Sequence, residues 1–315
     1  MNNIELFCRM MEQTNVMLLA HRGPDGDTLG SCFALKNLYE SLGKRAFVAC
    51  SDPVPHRLAF VTDGQIELSE TFHPDTIICV DIAEPKLLGD KYTEIVENID
   101  FCIDHHYTNP GYAKFTILDA DKSSVGELIY DLIKQCGYSL NCYIAEKLYT
   151  AISYDTGCFK YSNTKSSTHS AAAELLQFGF DSAMINRNLF DVASVSRLRL
   201  EGFAAQHIEL YCDGRVSLLC ITQEMLDSLG LKDDDLDGLT SVTRRVEGAE
   251  VSVTMRQMRS KRIRVSFRSE TDFDVSAIAV KFGGGGHKKA AGCSFEISPE
   301  EAKATLIKTI EDAFK

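Results

Sequence analysis

Three short apolar runs in the first third of the chain each end in residues that bind metal or move protons. Val16 to Ala20 leads into His21-x3-Asp25-x-Asp27, Ile77 to Val80 into Asp81, and Phe101 to Ile103 into Asp104-His105-His106. In open α/β sheets, ligands collect at the carboxyl ends of strands. If the three runs are parallel neighbours, their carboxylates and imidazoles converge on one edge, where repulsion among the acids demands cations. Asp and His donors without thiolates suit Mn²⁺, Fe²⁺, Co²⁺ or Mg²⁺ better than a structural zinc. The donors outnumber the needs of one ion, so two ions sharing a bridging carboxylate fit best. Taken singly, an Asp after a strand is more often a helix cap, and a buried His more often a hydrogen-bonded core residue. It is the recurrence at successive strand ends that favours a metal centre. Further along, Asp155 closes a helical stretch, where an acid opposes the helix dipole; an acid in so unfavourable a place invites a functional explanation.

The elements that must position these residues are also legible. Ala46 to Ala49 reads as a further buried strand, Leu29 to Leu42 as a helix ended by Gly43, and Ala145 to Tyr154 as another helix. Val125, Leu128, Ile129, Leu132 and Ile133 share one helical face behind the capping box Ser124-x-x-Glu127. Strands alternating with helices predict an α/β domain with a mostly parallel sheet over residues 1–185. A polar helical connector is expected over 186–210. A smaller α+β domain follows over 211–315, with strands at Val216 to Ile221, Glu250 to Met255 and Ile263 to Phe267, an acidic loop from Lys232 to Asp237, and a final helix from Pro299 to Phe314. The active site is expected in the cleft between the two domains.

Composition narrows the partners. A net charge of −12 argues against stable binding to long duplex nucleic acid, which needs a broad basic face. No apolar run approaches the length of a membrane span or of a signal-peptide core, so a cytoplasmic protein with no membrane partner is expected. The 11 cysteines are scattered, odd in number and without a CxxC pair, which reads as reduced thiols, mostly buried.

Against this acidic background, residues 256 to 268 carry Arg256, Arg259, Lys261, Arg262, Arg264 and Arg268 and no acid. In a strand, Ile263, Val265 and Phe267 would face a core while Arg264 and Arg268 share the other surface. Such a row is often no more than a solvated face. The Gly283 to Gly286 tract, followed by His287 and Lys288, is harder to dismiss, since glycines let backbone N–H groups approach an anion closely. It lacks the Lys-Ser/Thr of a phosphate-binding P-loop.

The run His21-Arg-Gly-Pro-Asp25-Gly-Asp27-Thr-Leu-Gly-Ser31, the lone Asp81, Asp104-His105-His106 and Asp155-Thr156-Gly157 resemble the DHH phosphoesterase superfamily in order and spacing. Gly283-Gly-Gly-Gly-His287 with Ala290-Ala-Gly292 resembles the DHH-associated C-terminal domain. The resemblance spans nearly the whole chain, and is strongest to stand-alone nanoRNA-degrading and 3′-phosphoadenosine 5′-phosphate phosphatases. It implies that His21, Asp25 and Asp81 hold one metal and that Asp27, Asp81, His105 and Asp155 hold the other, with Asp81 as bridge. It further implies that His106 faces the scissile phosphate and that Asp104 orients the histidine pair. The implied cofactor is two Mn²⁺ ions, with Mg²⁺ or Co²⁺ as alternatives. The implied activity is hydrolysis of short oligoribonucleotides of two to five residues, and of 3′-phosphoadenosine 5′-phosphate to AMP. Arg268, Gly284, Gly285, Gly286 and His287, and more weakly Arg262, become the expected grip on the substrate. A stand-alone cyclic-di-AMP or linear dinucleotide phosphodiesterase would share every motif. A RecJ-type exonuclease would need a further domain, a manganese pyrophosphatase would lack the glycine tract, and a nucleotide sensor without turnover has little use for both histidines. The sequence leaves open whether the chain pairs as a homodimer.

Overall fold

The computed structural model describes residues 1–63, 73–228, 230 and 239–314, so the acidic stretch expected from Lys232 to Asp237 lies outside the described residues. Two compact units divide the chain after Val192.

The first unit contains five parallel strands, β1 (Asn15–Leu19), β2 (Arg45–Ala49), β3 (Thr76–Val80), β4 (Phe101–Asp104) and β5 (Phe115–Leu118), in the order β2-β1-β3-β4-β5. Its helices are α1 (Asn3–Glu12), α2 (Gly26–Ser41), the short α3 (Ala59–Thr62), α4 (Val125–Gln135), α5 (Cys142–Asp155), α6 (Ser166–Leu176) and α7 (Ser182–Asn186). Strand side chains alternate between faces. Val16, Leu18, Ile78, Val80 and Ile103 accordingly pack with the apolar faces of α1, α2, α4 and α5, while Met17, Leu19, Cys79 and Cys102 join Leu88, Tyr92 and Ile99 in a smaller core. A sheet buried on both faces requires strands that are apolar throughout, which is why these runs show no polar alternation. The register Val16↔Thr76 and Ile78↔Phe101 sets the ends of β1, β3 and β4 side by side, so His21, Asp81 and Asp104 leave the sheet on the same edge.

The second unit contains α8 (Val195–Gln206), β6 (Ile208–Tyr211), β7 (Val216–Ile221), α9 (Gln223–Ser228), α10 (Thr240–Arg244), β8 (Val251–Gln257), β9 (Ile263–Ser269), α11 (Val275–Lys281), β10 (Gly285–His287), β11 (Ala290–Phe295) and α12 (Pro299–Ala313). Among the described residues, its six strands run β10-β11-β9-β8-β7-β6, mixed in direction, with β7 and β8 parallel and the other neighbours antiparallel. Ile263, Val265 and Phe267 face a core closed by Val275 and Ile278 of α11 and by Leu306 and Ile310 of α12. On the other face, Leu219 and Ile221 of β7 are covered by Leu200 and Ala204 of α8 and Val242 of α10.

The glycine tract supplies the edge strand β10, paired with β11. A Cβ on Gly286 would stand 2.5 Å from the Ala290 carbonyl oxygen, and one on Gly284 2.2 Å from that of Gly292. Glycine is thus required there by the close pairing of the strands themselves, whatever else the tract does.

Candidate metal centre

Asp25 is the N-cap of α2: its Oδ1 accepts the N–H groups of Asp27 at 3.0 Å and Thr28 at 3.1 Å. The helix therefore starts at Gly26, earlier than the Leu29 expected from the sequence, because the cap signature and the ligand signature are the same residue. Asp27 then falls in the first helical turn, fully buried, and its carboxylate is gripped by a second helix. Val125 N–H donates to Oδ2 at 2.8 Å and Gly126 N–H to Oδ1 at 3.0 Å, both from the first turn of α4, and Ser31 Oγ adds a bond at 3.1 Å. The positive end of α4 faces this carboxylate. Nothing in the Ser124-x-x-Glu127 pattern revealed that role; the only hint was the small residue Gly126 inside a helical stretch.

Asp81 follows β3 with φ 62°, a left-handed conformation uncommon for any residue but glycine and tolerated best by Asn and Asp. Its amide is tied to the Ile103 carbonyl at 2.9 Å, and the preceding Val80 carbonyl accepts Thr28 Oγ1 at 2.8 Å. The turn aims the Asp81 carboxylate between two imidazoles: Oδ2 lies 3.8 Å from His21 Nε2 and Oδ1 3.7 Å from His105 Nε2. Such separations are too long for hydrogen bonds. Donors that share an ion about 2.1 Å away stand about 3 to 4 Å from one another, which is the spacing seen. Asp81 Oδ1 is buried without a hydrogen-bond partner, an arrangement that costs free energy unless a cation satisfies it.

The remaining donors fall into the same two groups. His21 Nε2 lies 3.6 Å from Asp25 Oδ1, and His105 Nε2 lies 3.6 Å from Asp155 Oδ2 and 4.0 Å from Asp27 Oδ2. His21, Asp25 and Asp81 have ligand atoms close enough to share one ion, as do Asp27, His105 and Asp155; Asp81, His105 and His106 form a third overlapping group. Each proposed ligand histidine is turned by a carbonyl. His21 Nδ1 faces the Arg22 carbonyl at 2.9 Å and His105 Nδ1 that of Lys122 at 3.2 Å, so Nδ1 carries the proton and Nε2 presents its lone pair to the carboxylates.

The electrostatics carry the mark of crowding. Burial, with neighbouring carboxylates, pushes Asp27 and Asp155 up to about 7, and raises Asp81 well above the carboxylate range. Burial acts the same way on Asp25, but the His21 imidazole and the capped backbone amides outweigh it and hold this carboxyl below its ordinary value. A cation would release the protons that burial and repulsion otherwise retain. Asp155, the last residue of α5, reaches this cluster because α5 packs close to α2 and α4. A Cβ on Gly30 would stand 2.6 Å from the Lys147 carbonyl, and one on Gly126 would stand 2.5 Å from Ala151 Cβ. The residues present therefore fit a pair of divalent ions.

His106 differs from His105. Its Nδ1 donates to Asp104 Oδ1 at 2.8 Å, and its side chain is 44% exposed, so Nε2 is free to meet a substrate. That bond to Asp104 holds the imidazole above its ordinary value despite the opposing effect of burial. Asp104 is completely buried, and its Oδ1 also accepts the amides of His105 at 2.8 Å and His106 at 3.2 Å.

In the second unit, the register pairs Arg268 with Ala290 on one side and Ser252 on the other, and Ala290 with His287. Paired residues project to the same face, so Arg268 and His287 stand in one row across the sheet, two strands apart. Burial and the nearby Arg244 lower Arg268 from its ordinary value. Arg262 lies outside the strand, exposed in the turn before β9. Gly285 has open space where a Cβ would stand, unlike its neighbours Gly284 and Gly286.

Among the described residues, no helix is long and apolar enough to cross a membrane. Residues 15–153 match the DHH family N-terminal domain, and residues 219–315 match the DHHA1 domain. The chain is 31% identical to the bifunctional oligoribonuclease and PAP phosphatase NrnA of Thermus thermophilus, over 89% of this chain and 84% of that protein. It is 30% identical to the Bacillus subtilis protein of the same name, over 89% of this chain and 88% of the other. Among solved structures, an exopolyphosphatase-related protein from Bacteroides fragilis superposes with a TM-score of 0.86 at 28% identity, covering 99% of this chain and 95% of that one. With strand order, ligand cluster and sequence likeness in agreement over both units, the chain belongs to the DHH family.

Proposed function

We propose that the protein is a two-metal, manganese-dependent phosphoesterase acting on short oligoribonucleotides and on 3′-phosphoadenosine 5′-phosphate. The observation that carries this reading is the placement of Asp81 between His21 Nε2, 3.8 Å away, and His105 Nε2, 3.7 Å away, with Oδ1 buried and without a hydrogen-bond partner. His21, Asp25 and Asp81 would hold one ion, and Asp27, Asp81, His105 and Asp155 the other. When bound, such ions make water acidic enough to attack near neutral pH and offset negative charge building on the phosphoryl oxygens. The chain supplies the rest. Asp104 keeps the Nδ1 proton of His106 fixed, and the raised affinity of the imidazole for its second proton lets Nε2 donate to the leaving oxygen. Arg268 and His287, in one row of the second sheet, would bind phosphate or base, and Gly285 leaves room for backbone approach.

The names of the Thermus and Bacillus relatives support both halves of the proposed substrate range. A cyclic-dinucleotide phosphodiesterase is the second reading, supported by 23% identity to the cyclic-di-AMP phosphodiesterase PdeA of Listeria monocytogenes, of which the match covers 48%. Purified protein with Mn²⁺ is to be offered a dinucleotide RNA, 3′-phosphoadenosine 5′-phosphate, cyclic di-AMP and pyrophosphate. The reading predicts that the first two turn over fastest. Cyclic di-AMP ahead of both would favour the second reading, and pyrophosphate ahead of all would overturn both.

A further inference from the structure

Asn109 lies in the loop after β4 and reaches back to the carboxylate that holds His106. Its Nδ2 donates to Asp104 Oδ2 at 2.6 Å and also lies 3.3 Å from the Ile82 carbonyl and 3.5 Å from Cys102 Sγ. Its Oδ1 accepts the Gly111 N–H at 2.9 Å, and its own N–H bonds the His106 carbonyl at 3.0 Å. The amide is thus fixed in orientation from both ends: turning it over would set an oxygen against the Asp104 carboxylate and an NH₂ against the Gly111 amide. Asp104 is completely buried, and Oδ1 already takes His105 N–H, His106 N–H and His106 Nδ1–H. Asn109 is the donor on the other oxygen. We infer that Asn109 is a positioning residue for His106: by engaging Oδ2 it fixes the plane of the Asp104 carboxylate, which fixes the His106 ring and leaves Nε2 as the nitrogen presented to substrate.

The same contacts separate this role from simple loop stapling. Bonds to Gly111, Ile82 and His106 would suffice to shape the turn. The shortest contact is instead to the carboxylate that hydrogen-bonds the His106 ring. Asn109→Asp replaces the donor that faces Asp104 and the Ile82 carbonyl, while the acceptor for Gly111 and the backbone bond to His106 that shape the turn remain.

The test has two arms, because the inference rests on the phosphoesterase reading of His106. In metal-free, full-length protein, proton NMR should show a downfield His106 Nδ1–H resonance, assigned by its absence in His106→Gln. Asn109→Ala and Asn109→Asp should shift it or lose it to exchange, and an unchanged resonance would overturn the inference whether or not any substrate is hydrolysed. With Mn²⁺ and the fastest substrate, Asn109→Ala should lower kcat by about 10- to 100-fold, the range for groups that orient a catalytic partner, with KM and thermal midpoint little changed. In a His106→Gln background the same change should cost nothing further. An undiminished loss in that background, or a loss that follows the thermal midpoint, would also overturn it. A wild-type protein inert to the whole panel would sink the phosphoesterase reading instead, and the NMR arm would still decide the role of Asn109.

Discussion

The backbone amide of Gly126 donates to Asp27 Oδ1 at 3.0 Å, so a helix that contributes no candidate ligand holds one in place. The relationship runs from the first turn of α4 to the first turn of α2. It depends on α4 lying against α5 more closely than any side chain larger than hydrogen allows, since a Gly126 Cβ would meet Ala151 Cβ at 2.5 Å.

Gly126→Ala should therefore push α4 away from both α5 and Asp27. Overpacking of this kind costs about 1–3 kcal/mol. Urea denaturation of the metal-free protein measures it, and manganese affinity should fall in parallel. Gly202→Ala is the control: it sits in α8 with nothing within 4 Å of its added Cβ, and should stabilise by up to about 1 kcal/mol through helix propensity.

Glu127 gives a pH-dependent prediction away from the metal cluster. Its carboxylate accepts Ser123 N–H at 3.1 Å, Ser123 Oγ at 2.5 Å, Ser167 Oγ at 2.8 Å and Thr168 Oγ1 at 2.8 Å, joining α4 to α6. Burial alone would raise this carboxyl, but these donors outweigh it and hold it below its ordinary value. The charged form is thus favoured by folding. Its contribution is complete above the unfolded value of about 4.3 and disappears as pH falls through the lower folded value. Glu127→Gln should destabilise by about 1–3 kcal/mol at neutral pH, and the gap between wild type and variant should close as pH is lowered. A gap independent of pH would contradict the assignment.

The two adjacent histidines should respond differently to removal. His105→Ala takes a donor from beside Asp27, Asp81 and Asp155, and should cost one ion by metal analysis together with nearly all turnover. His106→Ala should keep both ions and lower kcat by about 10² to 10⁴, the usual contribution of a positioned acid. Loss of metal in both variants would show that the division between them is misplaced.

Much of this site could be read from the sequence because three of the apolar strands terminate abruptly in an acid or imidazole. Strands buried on both faces have no reason to end in charge unless their ends meet. What could not be read has physical causes. Asp25 is at once a helix cap and a candidate ligand, so one pattern concealed the other and α2 was placed too late. β5 carries three half-buried residues, Phe115, Thr116 and Leu118, and lacks the uniform apolarity of its neighbours. β10 is nearly all glycine, a residue with poor strand propensity, and only the close approach of β11 explains it. Asn109 is a single polar residue in a loop, and its meaning comes from a 2.6 Å contact that spacing does not encode.

Asp81 bears the central claim, that one carboxylate joins two ion sites. Its left-handed backbone, φ 62°, is well tolerated by asparagine, so Asp81→Asn removes charge without forcing the turn to change. Calorimetric titration of the metal-free protein with Mn²⁺ is the most direct measurement. Wild type should bind two ions per chain, and Asp81→Asn should weaken both sites while the folded protein keeps its thermal midpoint. A wild-type stoichiometry of one, or a variant that binds two ions with wild-type affinity, would contradict the account.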